Sequence, residues 1–203
     1  MGLAIVTKKG EILAKRSFII KEIFDNGSLM STAYYADKVP MYKAEIKQGL
    51  HEVVSFAYAL NTINELIREF NPTMVCAYNL AFDKGAIANT SKNLYGFEFK
   101  FNLAELCIWS LACEVLFTQK MYPTIALENG WVSEAQNLRT NAEVAYRYIT
   151  KNYEFIEKHM GLADVEIEAE ILAKCLAQKK SFISGIINHP WKIPNKKWRE
   201  SLQ

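Results

Sequence analysis

The sequence predicts a single α/β domain, and three stretches lead to that prediction. Two apolar runs, LAIV and ILAKRSFII, surround the turn TKKGE within the first 20 residues, a pattern typical of an antiparallel hairpin. An amphipathic helix then precedes TMVCAY at 73–78, a short apolar run typical of a parallel strand that helices cover on both faces. The helices predicted after it complete an α/β or mixed pattern, in which ligands bind beyond the carboxyl ends of parallel strands.

Length and composition favour one domain over residues 1–203. Half of the 203 residues are hydrophobic, enough for one sizeable core. The net charge of +2 is too small to mark the whole surface as a polyanion binder. Four cysteines without C-x-x-C spacing argue against a zinc ribbon or a disulfide framework, and no apolar run reaches the ~18 residues of a membrane span. These features predict a cytoplasmic protein.

Turn residues and apolar periodicity predict the remaining elements. DNGS predicts a turn within the mixed region 21–50, and KVPMY predicts a break before a polar segment. Apolar residues at three- and four-residue steps, from Val53 to Phe70, predict a helix that ends at the following Asn-Pro pair. Further helices are predicted at 84–92, at 103–118, from the capping box TNAE beginning at Thr140, and from about Asp164 to Gln178.

Asp83 is the first candidate site residue. It lies in AYNLAFDKGAI, just past the strand at 73–78 and at the opening of the next helix. α/β proteins place their chemistry at such positions. An unpaired carboxylate in apolar surroundings costs several kcal/mol, so a compensating partner is expected. The structural alternative is that Asp83 caps the helix and Asn79 closes the turn, which are common roles of Asp and Asn.

A second candidate pair lies in HMGLADVEIEAEIL. His159 precedes Asp164 by five residues, a separation too far in angle for one helical face. We therefore expect His159 on the loop entering a helix and Asp164 in the first helical turn. The alternative is that Asp164, Glu166 and Glu168 merely complement the helix dipole.

Together these segments resemble the DEDDh-type 3′–5′ exonuclease family, typified by the proofreading subunit of bacterial replicative polymerases. NLAFD is similar to the second motif of that family, HMGLAD to the third, and the hairpin GLAIVTKKGEIL to the second and third strands. LCIWSLACEVL, LRTNAEVAYRYI and HPWKIPNK also resemble phage-borne members. The resemblance covers most of the chain and implies a ribonuclease-H-like mixed sheet flanked by helices.

The resemblance also implies a function, the metal-dependent hydrolysis of phosphodiester bonds at the 3′ ends of single-stranded DNA or RNA. In that chemistry Mg²⁺ or Mn²⁺ ions held by carboxylates activate a water and stabilise the leaving oxygen. Asp83 and Asp164 would be the metal ligands, and His159 would be the general base. Asn79 and Phe82 would shape the strand end and the nucleotide pocket. A phage-encoded protein would act in the cytoplasm of its bacterial host.

The first motif of the family, Asp-x-Glu on the central strand, would precede Gly2 and is not in this sequence. The only Asp-x-Glu, Asp164 to Glu166, already belongs to the third motif. We therefore expect weak metal binding and a sheet without its central strand. Because unpaired strand edges in a core are costly, we expect a segment of this chain, a strand from a homodimer mate or a separate peptide to fill the gap. The alternatives are a split sheet and, for function, an inactive module that binds nucleic acid or a protein partner.

The C-terminal segment, about 185–203, mixes Trp191 and Trp198 with Lys and Arg residues. Such a segment could stack bases and contact the phosphates of a single strand. The favoured alternative is a Pro-punctuated tail that packs its tryptophans against the domain. His189, before Pro190, and His51, at a predicted helix start, are interpreted as structural.

Overall fold

The computed structural model describes residues 1–32, 36–178, 180–183 and 185–202, and shows a mixed α/β chain whose small sheets are flanked by helices. Within these residues the strands are β1 (Gly2–Val6), β2 (Ile12–Ile20), β3 (Glu52–Val54), β4 (Met74–Ala77) and β5 (Ala104–Cys107). The α-helices are α1 (Lys21–Phe24), α2 (Gly27–Thr32), α3 (Val39–Lys47), α4 (Phe56–Phe70), α5 (Leu80–Tyr95), α6 (Ile108–Val115), α7 (Tyr122–Glu128), α8 (Ala142–Thr150), α9 (Gly161–Leu176) and α10 (Lys192–Glu200).

The N-terminal hairpin is confirmed. β1 and β2 pair antiparallel, with Leu3 opposite Arg16, and the turn between them includes Gly10 at a φ of 85°. That backbone conformation favours glycine because it has no Cβ. β2 also pairs in parallel with β3, which gives a three-stranded sheet in the order β1-β2-β3.

β4 and β5 form a second, separate sheet. They pair in parallel, from Met74 opposite Ala104 to Ala77 opposite Cys107, which confirms the strand and the direction predicted at 73–78. Within the described residues no strand joins this sheet to the first one. The sheet is therefore split, and β1 and β4 each keep one edge without a strand partner.

Two predicted boundaries near α3 and α4 are wrong. Val53 lies in β3, because α4 begins only after Ser55, whose side chain accepts the N–H of Tyr58 at 3.1 Å. The predicted end of α4 is confirmed at Asn71, which has the left-handed conformation. KVPMY does not interrupt the secondary structure, because α3 begins within it and Pro40 lies in the first turn of that helix. Proline is tolerated there, since the N–H groups of a first turn have no hydrogen-bond partner within the helix.

The helix predicted at 103–118 is also wrong in part. Residues 104–107 form β5, and α6 follows at once, because pairing with β4 holds the first apolar residues extended. The cap of α8 lies one residue later than predicted: the side chain of Asn141, not Thr140, accepts the N–H of Val144, at 3.4 Å. The last predicted helix is α9.

Two hydrophobic clusters form the core. The larger cluster joins α6, α7, α8 and α9 around Tyr122, whose hydroxyl donates to the carbonyl of Arg139 and whose ring centroid lies 4.6 Å from that of Phe117. The smaller cluster centres on α4, with Phe56, Leu60 and Ile63 buried and residues of β1 and α5 packed against them. Cys107, Cys113 and Cys175 are buried, Cys76 is half-buried, and all four are free. Of the helices that the structure describes, none has the length and apolar character needed to cross a membrane.

The predicted C-terminal tail contains helix α10, which packs against the domain. Asn195 is buried, and its Oδ1 accepts the N–H of Leu138 at 2.7 Å. Trp198 packs against the larger cluster, as the structural alternative predicts. Gln203 lies outside the described residues. His51 precedes β3 rather than starting a helix, and its ring nitrogens lie 2.8 Å from Ser17 Oγ and 2.7 Å from Glu45 Oε2.

Candidate metal centre

The loop entering α9 and the first turn of that helix build one half of the candidate site. His159 lies on the loop with a left-handed φ of 51°, and Asp164 lies in the first helical turn, as predicted. Asp164 Oδ1 accepts the N–H of Met160 at 3.0 Å, and the N–H of Asp164 donates to the carbonyl of Met160 at 2.9 Å. These two bonds hold the loop against the start of the helix.

Glu157, His159 and Asp164 form the tightest polar group. One possible ligand atom from each lies within 4.8 Å of the other two. Ligand atoms of one bound cation lie at most about 5 Å apart, so the three side chains are close enough together to contact a single cation. The side chain of Glu157 is 10% exposed, whereas that of His159 is 40% exposed and therefore reaches solvent.

Asp83 lines the same cavity as Glu157 and Asp164. Asn79 ends the β4 segment in a left-handed conformation, and Asp83 follows in the first turn of α5. Burial, together with the charge of Asp164 and against the effect of a backbone hydrogen bond, raises the pKa of Asp83 to about 6. The two predicted ligands, from separate segments, are therefore neighbours. Asp83 is nevertheless not one of the three grouped residues. The second carboxylate beside Asp164 in that group belongs to Glu157, not to Asp83 as predicted.

Glu168 adds a fourth carboxyl group. It lies one turn after Asp164 on α9, and its Oε2 accepts the N–H of Tyr78 at 3.1 Å. Burial is the main cause that raises the pKa of Glu168 to about 8. The charges of the other three carboxyl groups contribute to this rise, and the hydrogen bond from Tyr78 opposes it. Glu166, in contrast, lies outside the cluster and pairs with Lys15 at 2.7 Å.

Glu157 and Glu168 were missed as site residues. The signal for Glu168 is its four-residue spacing from Asp164, which places both side chains on one helical face. Glu157 lies on an irregular loop, where spacing carries no such information. Its position depends on the Glu143 side chain, which accepts the N–H of Glu157 at 2.8 Å.

Positive charge near the cluster compensates it only in part. Burial raises the pKa of Asp164, while the N–H of Met160 and the charges of His159, Lys38 and the N-terminal ammonium oppose that rise. The Nζ of Lys38 also donates to the carbonyl of Lys158 at 2.5 Å. Since the pKa values of the carboxyl groups remain raised, mainly through burial, these positive charges do not fully compensate the cost of ionising them.

The acidic cluster, which consists of Asp83, Glu157, Asp164 and Glu168, lines a cavity of about 1140 Å³. Asp83, Asp164 and the predicted substrate-binding residues Asn79 and Phe82 line this same cavity. The side chain of Phe82 is largely solvent-exposed, with 71% of the residue accessible. An exposed ring beside the cavity can stack on a nucleotide base.

We expect Glu168→Gln to stabilise the protein above neutral pH. Folding raises the pKa of Glu168 from 4.5 to about 8, so the folded state binds the extra proton and its stability falls as pH rises through this range. The glutamine oxygen can still accept the N–H of Tyr78. Urea unfolding at pH 8.5 should show a gain of about 1–3 kcal/mol, with little change at pH 4.5.

Glu166→Gln is the matched control for this prediction, because it removes an exposed carboxylate from the same helix. Its effect should stay below about 1 kcal/mol at both pH values. Equal pH slopes for the parent protein and Glu168→Gln would contradict the assignment.

Comparisons with protein-family models, with curated proteins and with solved structures find no match for this chain. The chemistry of the clustered side chains therefore has to support the functional conclusion.

Proposed function

We propose that this chain is a metal-dependent 3′–5′ exonuclease domain with a ribonuclease-H-like fold, which hydrolyses phosphodiester bonds at DNA or RNA 3′ ends. The observation behind this proposal is that Asp83, from the segment after β4, and the group Glu157, His159 and Asp164, from the entry to α9, meet beside one cavity. Burial raises the pKa of each of the three carboxyl groups, and a divalent cation would offset that electrostatic cost.

The proposed roles follow from position and exposure. Glu157 and Asp164 would hold a Mg²⁺ or Mn²⁺ ion, with Asp83 as a further oxygen ligand, directly or through water. The bound ion would activate a water and neutralise charge on the phosphate. His159, partly exposed and with its Nδ1 3.6 Å from Glu157 Oε2, would accept a proton from the attacking water. Phe82 would stack on the terminal base.

A catalytically inactive module that binds nucleic acid or a protein partner is the second candidate. The pKa of Glu168, raised to about 8, favours it, because a protonated Glu168 reduces the charge available to hold a cation. The two candidates differ in one observable property, which is cleavage.

The test is digestion of 5′-labelled single-stranded DNA and RNA by this chain with Mn²⁺. The exonuclease proposal predicts stepwise shortening from the 3′ end. Asp164→Asn and His159→Ala should each lower the rate about 100-fold or more, since one removes a proposed ligand and the other the proposed base. Glu166→Gln, on the same helix but outside the cluster, should cleave at the parent rate.

Two outcomes would contradict the exonuclease proposal. A parent chain that binds the oligonucleotide but leaves it intact at high protein concentration would favour the inactive module. Cleavage that persists in both Asp164→Asn and His159→Ala would place the activity elsewhere or in a contaminant.

A further inference from the structure

Ser17, His51 and Glu45 form a chain of side-chain hydrogen bonds outside the candidate metal centre. Ser17 lies in β2, His51 lies just before β3, and Glu45 lies near the end of α3. The Oγ of Ser17 lies 2.8 Å from Nδ1 of His51, and Nε2 of His51 lies 2.7 Å from Oε2 of Glu45. A hydroxyl bonded to an imidazole that a carboxylate orients from its other nitrogen is the arrangement that activates a serine nucleophile.

The hydrogen-bond partners determine which nitrogen of the neutral His51 ring carries the proton. An ionised carboxylate can only accept, so Nε2 of His51 is the donor in its contact with Glu45. Nδ1 then has a free lone pair and accepts the hydroxyl proton of Ser17. This tautomer suits a general base, because the nitrogen that faces the hydroxyl can take its proton.

The surroundings of the His51 ring hold it in this orientation. Its side chain is 8% exposed, and the ring centroid of Tyr42 lies 5.8 Å from that of His51. The side chain of Glu45 is only partly exposed, so water screens its contact with Nε2 less than it would at an open surface. Since the three residues come from separate segments, the tertiary fold and not a local turn brings them together.

Ser17 and His51 reach the large cavity. Both line it, together with Phe24 of α1, Met30 of α2 and Tyr42 of α3. Most of the residues that line this cavity are apolar, which suits a substrate with an apolar group. The acidic cluster lines the same cavity and disfavours an anionic substrate. An uncharged ester with an apolar acyl group therefore fits these surroundings best.

We propose that Ser17 is a nucleophile, that His51 is its general base, and that they cleave uncharged carboxylic esters with apolar acyl groups. Ser17 Oγ attacks the carbonyl carbon, its proton passes to Nδ1 of His51, and the electron pair of the C=O bond moves to oxygen. When the C=O bond re-forms, the ester C–O bond breaks and the leaving alcohol takes the proton from His51. Water then hydrolyses the acyl ester of Ser17 by the same steps. Glu45 is a positioning residue, and no cation takes part.

Labelling with a fluorophosphonate in buffer containing EDTA tests the nucleophile. Attack by Ser17 Oγ breaks the P–F bond, fluoride leaves, and the hydroxyl proton passes to His51. Trypsin should then release residues 17–21, a peptide with one hydroxyl group, carrying the phosphonyl mass. We expect the folded parent to react at least about 100-fold faster than the parent unfolded in urea, because only folding brings His51 to Ser17.

Three variants assign the roles. His51→Gln should lower the labelling rate about 100-fold or more, since glutamine stays polar but cannot act as the base. Glu45→Gln should lower it about tenfold or more, since an amide no longer fixes the proton on Nε2. Glu52→Gln, which replaces an exposed carboxylate on β3, is the matched control and should react at the parent rate. Near-UV circular dichroism checks that each variant is folded.

An ester then tests turnover in the same buffer. With p-nitrophenyl butyrate the parent should release nitrophenol and carry a butyryl group on residues 17–21, and Ser17→Ala should do neither. Equal labelling of folded and unfolded parent, an unlabelled Ser17, or an unchanged rate in folded His51→Gln would overturn the proposal and leave a structural link between β2 and α3. So would labelling without release of nitrophenol. Because EDTA removes divalent cations, failure here is distinct from failure of the nuclease assay.

Discussion

Gly2→Ala should lower the free energy of unfolding by about 3 kcal/mol and displace the candidate metal centre. A Cβ at Gly2 would lie 2.1 Å from the carbonyl oxygen of Gly161 and 2.2 Å from its carbonyl carbon. Both are backbone atoms, so no side-chain rotation relieves the overlap, and β1 and α9 must move apart. Since Asp164 lies in the first turn of α9, the same movement should weaken Mn²⁺ binding.

Urea unfolding measures this effect, and Gly85→Ala is its matched control. Gly85 lies within α5, where an added Cβ meets nothing within 4 Å. Alanine is favoured over glycine inside a helix by about 0.5–1 kcal/mol, so the control should be slightly stabilised. A Gly2→Ala protein as stable as the parent would show that β1 and α9 are not in the close contact described.

Tyr122→Ala should cost about 3–5 kcal/mol, because it leaves a large cavity in the larger cluster. Tyr122 is fully buried, and its ring lies 4.6 Å from Phe117 and 5.1 Å from Tyr148 between centroids. Its hydroxyl also donates to the carbonyl of Arg139. Tyr122→Phe keeps the ring and removes only that bond, so it should cost about 1–2 kcal/mol.

Thermal unfolding of both variants separates packing from hydrogen bonding at this position. Leu127→Ala, on the exposed side of the same helix, should cost less than about 1 kcal/mol. If Tyr122→Ala unfolded at the parent temperature, the larger cluster would not be the core of the domain.

Strong local signals predicted the elements that the structure confirms. The β1–β2 hairpin combines two apolar runs with a Gly-containing turn, and α4 combines regular apolar spacing with a left-handed Asn at its end. β5 was missed because its four residues, AELC, are too few to show a periodicity that separates strand from helix. Its partner β4, about 30 residues earlier, determines that it is extended.

The candidate site shows the same division. The positions of His159 and Asp164 were predicted correctly because a helix start has recognisable sequence signals. His159 lies just before Gly161, the first residue of α9, and Asp164 lies in the first turn after it. The participation of Glu157 depends on the tertiary hydrogen bond that its N–H donates to the Glu143 side chain, and no local sequence pattern predicts such a bond. The split into two sheets was predicted only as an alternative, and the strand expected to fill the gap between them stays a prediction.

Manganese binding at pH 7.5 tests the central claim most directly, because the proposed function requires a cation held by Glu157 and Asp164. Free Mn²⁺ can be followed by electron paramagnetic resonance during titration of the parent chain, Asp164→Asn and Glu166→Gln. We predict saturable binding that Asp164→Asn weakens about tenfold or more and Glu166→Gln leaves unchanged. Identical binding curves for all three proteins would contradict the assignment of the metal centre.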